Sequence, residues 1–167
     1  MSRHNHDPIQ HLEHFAASVT SSFPGTSVTP IAASPATTTL PASVTVEVDH
    51  DDQSWVTATI GWAAVTTLPG VTTLAIPFAV QFCVTRDGVP IFCTNDSVSF
   101  LGQQRTTTIS AVDLTPTTSR QHVHVTYSLT ASAFLIPGVT VPTGAVLPSG
   151  EAIVTGPLSL TAAVIEK

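Results

Sequence analysis

The residues with chemistry to offer in this 167-residue chain are two cysteines, seven histidines and eleven carboxylates. Cys83 and Cys93 flank Arg86-Asp87-Gly88-Val89, where Asp-Gly between apolar runs is a strong hairpin signal. An odd-length loop centred on Gly88 sets the two thiols opposite each other, whereas a two- or four-residue loop sets Phe92 opposite Cys83. The pair is therefore a candidate disulfide, with two buried thiols and a link between chains as the open alternatives.

His4, His6, His11 and His14 lie close together near the start, and His122-Val123-His124 puts two imidazoles on one face of a strand. A zinc site needs three or four convergent ligands with an ordered second layer, and the carboxylates nearby in sequence are Asp7 and Glu13 alone. These histidines read as solvated polar residues. Asp49, Asp51 and Asp52 offer hard oxygen ligands of the kind calcium takes, without the turn glycine or bidentate glutamate of a calcium loop. They read as a polar turn between two strands, and no metal site is assigned.

Gly-x-Ser-x-Gly elbows, His-Glu-x-x-His helices and phosphate-cradling glycine loops are absent from the sequence. A carboxylate pair for glycoside hydrolysis would have to be drawn from Asp87, Asp96, Asp113 and Glu151, which stand on separate predicted strands or loops. The expectation is a protein that is not an enzyme, with no catalytic residue and no cofactor. Trp55 and Trp62 have opposite parity, which sends Trp62 to the core and Trp55 to an edge, rim or subunit contact. Asn95-Asp96-Ser97 is a glycosylation sequon that matters only in a host that uses it.

The elements that must position these residues follow from composition and period. Thr, Val and Ile fill a third of the chain, while charged residues are 10%, against about 25% in an ordinary soluble protein. Strands are expected, with little helix. The formal charge is -6, and Arg3, Arg86, Arg105, Arg120 and Lys167 stand singly, so no phosphate-tracking face and no nucleic-acid partner is expected. Apolar runs are too short for membrane insertion as a helix.

Asp7-Pro8-Ile9-Gln10 has the form of a helix start, predicting a short helix over 8–17. Residues 18–42 are rich in Ser, Thr, Pro and Ala, so 1–42 reads as an N-terminal arm and linker. Period-2 alternation begins at Ser43 and predicts strands over 43–48, 56–64, 76–85, 90–94, 106–114, 121–133 and 158–166, with 134–151 as loop or irregular strand. The expected fold is all-β: a single antiparallel sandwich over 43–167, jelly-roll-like or immunoglobulin-like, with seven or eight strands and an extended arm. The arm's β-prone pieces suit strand addition to a neighbouring subunit, with Val19, Val28 and Ile31 as apolar anchors.

Val56-Thr-Ala-Thr-Ile-Gly-Trp62, Phe82-Cys-Val-Thr-Arg-Asp-Gly-Val-Pro-Ile-Phe-Cys-Thr-Asn-Asp-Ser97, Val123-His-Val-Thr-Tyr-Ser-Leu-Thr-Ala131 and Gly156-Pro-Leu-Ser-Leu-Thr-Ala-Ala-Val-Ile-Glu166 resemble small spore-surface proteins of spore-forming Firmicutes. That resemblance, to exosporium proteins and endospore appendage subunits, implies a sandwich that assembles into trimers, layers or filaments. It brings no catalytic residue to carry over. Appendage subunits staple themselves through cysteines in an N-terminal connector, and residues 1–42 contain none. The expected partners are copies of the chain and other spore-surface proteins. The expected location is the spore surface or extracellular space, reached without a classical signal peptide, since Met1 to Pro8 has no basic and apolar leader. A recognition module, such as a phage fibre head or a carbohydrate- or receptor-binding sandwich, is the alternative; a single tyrosine, Tyr127, argues for assembly over binding.

Overall fold

Alternation builds the strands. In β3 (Thr38–Val48), Leu40, Ala42, Val44, Val46 and Val48 are buried while Pro41, Ser43, Thr45 and Glu47 face solvent. In β4 (Gln53–Ala64), Val56, Ala58, Ile60 and Trp62 point inward in the same way. The computed structural model describes residues 12–20, 29–65, 78–100, 102–114, 122–136 and 152–166. Within them lie seven further strands: β1 (Leu12–Thr20), β2 (Thr29–Ile31), β5 (Phe78–Arg86), β6 (Val89–Val98), β7 (Gln104–Asp113), β8 (Val123–Leu135) and β9 (Ala152–Ile165).

One sheet runs β1-β9-β4-β7, with β2 also on β9; the other runs β3-β8-β5-β6. All of these strand pairs are antiparallel. From β2 onward the chain changes sheet at every step except the β5–β6 hairpin. That winding is a jelly roll; an immunoglobulin sandwich keeps several successive strands side by side. Trp62, Tyr127, Phe82, Ile60, Leu129 and Leu160 fill the space between the sheets, and Trp62 meets Phe82 edge to face at 5.9 Å.

The β9 strand carries an interruption. Ile60 pairs with Leu158 but Trp62 pairs with Val154, so residues 155–157 all lie opposite Gly61. Two extra residues preserve the period, and Val154 and Leu158 both stay in the core. A Cβ on Gly61 would fall 1.9 Å from the Gly156 carbonyl oxygen, so only glycine fits there.

Several expectations are corrected. In place of a helix over 8–17, residues 12–20 form β1, and residues 8–11 lie outside the described residues. The helix-start signal is local, while the exposed edge of β9 offers unpaired backbone groups along its whole length. Pairing with that edge wins, as tertiary context commonly overrides propensity. The boundary at residue 42 also moves, because β1, β2 and the start of β3 belong to the sandwich: Ile31, Leu40 and Ala42 are buried in its core. The final strand begins at Ala152, six residues before the predicted start, because the Gly156-Pro157 step reads as a break but is absorbed as a bulge.

The hairpin resolves the cysteines. Its loop has two residues, with Arg86 paired to Val89, yet Cys83 still pairs with Cys93 because an irregularity at Ile91 shifts the register by one. Asp87 and Gly88 both have positive φ, as the mirror-image hairpin turn requires. The sulfurs are bonded, across a Cα–Cα distance of 4.1 Å.

Candidate assembly surface

Three of the carboxylates considered for chemistry, Asp87, Asp96 and Asp113, make bonds that hold the sandwich. Arg86 on β5 donates through Nη1 to both oxygens of Asp113 on β7, each at 3.0 Å, and Tyr127 on β8 donates its hydroxyl to Asp113 Oδ2 at 3.0 Å. One buried carboxylate thus ties both sheets together. Burial first, and the Asp113 charge with it, pushes the Tyr127 hydroxyl well above the ordinary phenol range. It is a fixed donor at any physiological pH.

Six residues away along β7, Trp62 Nε1 donates to Thr107 Oγ1 at 2.9 Å, and Thr107 Oγ1 donates to Asp96 Oδ2 at 2.7 Å. This chain crosses from β4 and β7 to β6, and its buried members are satisfied by one another. Asp87 Oδ1 accepts the Thr126 backbone N–H at 2.9 Å, fixing the hairpin tip to β8. Asp87, Asp96 and Asp113 are therefore separately occupied, and Glu151 lies outside the described residues.

The other charged group sits where β1 begins. Glu13, His14, Glu47, Asp49, Asp52 and His122 line an open cleft of about 300 Å³. His122 Nδ1 lies 3.0 Å from Asp49 Oδ1 and 3.8 Å from Glu47 Oε1. Asp52 is buried, and its Oδ2 accepts the Asp49 N–H at 2.6 Å, which closes the turn between β3 and β4. Glu13 is exposed, yet its carboxyl is held above the ordinary range, first by partial desolvation, then by Asp52, Glu166 and Asp49, with His122 pulling the other way. Among the described residues, no three His, Cys, Asp or Glu side chains have the arrangement to hold a metal ion. His4, His6 and His11 lie outside them; His124 is exposed, as its alternation with Val123 and Val125 predicts.

What remains is the N-terminal edge. β1 pairs with β9 from Leu12 opposite Ile165 to Thr20 opposite Leu158, and β2 continues along the same edge from Thr29 opposite Val154. Leu12, Phe15 and Val19 on β1 are all large, apolar and exposed, Val19 at 71%. Val19 is therefore not seated in a pocket, because β1 is laid flat on the sheet edge with that side chain outward. Ile31 is an anchor, 3% exposed, but in the chain's own core. Val28 lies outside the described residues. Leu12 and Phe15 escaped the sequence reading because a helix was expected there; as a strand, their exposure follows from being opposite outward-facing Ile165 and Ala163. Comparison with protein-family models and with curated proteins finds no match.

Proposed function

We propose that this chain is a non-enzymatic structural subunit that assembles with its own copies on a bacterial spore surface, as a fibre or outer-layer component. In this reading β1 docks on the β9 edge of a neighbouring sandwich in the assembled state. The observation that carries it is β1 itself: a nine-residue edge strand seated by main-chain pairing with β9, with its large side chains facing solvent. A seat built from main-chain hydrogen bonds accepts an identical strand from a neighbour as well as its own. The low charge, the Thr- and Ser-rich outer surface, and the resemblance to spore-surface proteins support the setting. The engagement of the carboxylates in structural bonds supports a role without catalysis.

The pairing Val19 opposite Ser159 supplies the test. In a Val19→Cys/Ser159→Cys variant, oxidised in the assembled state and run on a non-reducing denaturing gel, strand exchange gives a covalent ladder of multimers. A single monomer band from assembled material would overturn the exchange.

A further inference from the structure

The outward face of the β1-β9-β4-β7 sheet carries an apolar band that the register makes continuous. Phe15 is opposite Ala163, Ala163 is opposite Trp55, and Trp55 is opposite Val112, so one row crosses all four strands. Leu12 and Ile165 extend it at one end of the row and Leu114 at the other. Phe15, Trp55 and Val112 are 60%, 49% and 55% exposed. A contiguous exposed patch of this kind on a sheet face marks an interface.

Trp55 is prepared for contact. Its Nε1 donates to Ser110 Oγ at 2.8 Å, so the indole presents ring alone to solvent and is already fixed in place. Burying it against a partner strands no donor and orders no free side chain. The next two rows on one side are Ala17-Thr161-Thr57-Ser110 and Val19-Ser159-Thr59-Thr108, in which Thr57 and Thr161 hydrogen-bond to each other. Across these rows the face has no formal charge, although the chain carries -6.

From this we infer that the face is an interface between two copies of this chain, stacked sheet on sheet about a two-fold axis near Trp55. An uncharged, flat and self-similar face lets two chains of net charge -6 meet without charge repulsion across the contact. Four strands at about 4.8 Å spacing and nine residues at about 3.3 Å give roughly 570 Å² of flat area. Two such faces supply about 1,100 Å², the size of a reversible interface rather than an obligate one. The contact does not require β1 to change partners, since β1 presents the same residues whichever sandwich it belongs to.

Sedimentation velocity over a concentration series tests it, with tryptophan emission as second readout because Trp55 is half exposed and Trp62 is fully buried. The expected result is a monomer–dimer equilibrium of about micromolar affinity with a blue shift on association. Val112→Glu, an exposed change that keeps the Trp55–Ser110 bond, should weaken it at least about 100-fold. Mixing Val112→Glu with Val112→Lys should restore the dimer, and Ser97→Glu on the opposite sheet should leave it unchanged. A chain that stays monomeric throughout, or association indifferent to Val112→Glu, would overturn the inference.

Discussion

Along the β6 and β7 edges, side-chain hydrogen bonds and an ion pair tie the two sheets together; at the other edge, main-chain pairing with β9 seats β1 while its large side chains stay outside. The first side has Arg86-Asp113-Tyr127 and Trp62-Thr107-Asp96 between the sheets, and the Cys83–Cys93 bond within one of them. On the second, the bond from Thr20 Oγ1 to the Pro41 carbonyl is long, at 3.3 Å, and Glu13 faces like charges. Buried charge networks have one geometry and fail together, whereas a strand edge is satisfied by any strand of the right length. A sandwich built this way has one side fixed by side-chain bonds and one edge strand held by backbone pairing.

Removing the carboxylate at the centre of the fixed side is the most direct attack on that contrast. Asp113→Ala leaves Arg86 and Tyr127 facing a gap in a buried site and should cost about 3–5 kcal/mol, read from denaturant unfolding. A loss below about 1 kcal/mol would mean that side chains do not make this the stronger side. A smaller effect is expected from Cys83→Ser/Cys93→Ser, since the bond spans a sequence separation of 10. Chain-entropy arguments put the loss at about 2–3 kcal/mol, with reversible unfolding in reducing buffer as the check.

The smallest effect belongs to the β1 side and sharpens the contrast by its sign. The Glu13 carboxyl is raised in the folded chain, so the folded state holds this proton to higher pH than the unfolded state does. Its contribution to stability is present below the unfolded value and is lost as pH rises through the folded one. Glu13→Gln should therefore raise the thermal midpoint slightly at pH 7, with the gain vanishing below about pH 4. A midpoint lowered at pH 7 would show that Glu13 helps to seat β1.

The alternation over 43–48 and 56–64 made the later part of β3 and most of β4 legible, and the opposite parity of Trp55 and Trp62 placed one outside and one in the core. Local turn chemistry located the β5–β6 hairpin. The Cys83–Cys93 register was not legible, because the irregularity at Ile91 cancels the shift that a two-residue loop imposes. Nor was β1, whose conformation is decided by an edge about 140 residues further along the chain rather than by its own neighbours. The same distance hid the apolar band: Phe15, Trp55, Ala163 and Val112 become one row only once four strands are in register. Seeing such a row needs the sheet order, which no window of sequence contains.

The position of β9 has a consequence for how the molecule is made. It lies between β1 and β4, yet it follows every other strand in the chain. Until residues 152–165 have been synthesised, β4 has β7 on one edge and nothing of its own sheet on the other, and the N-terminal segment has no seat. Among the described residues, the edge that receives β1 therefore exists only once β9 is in place.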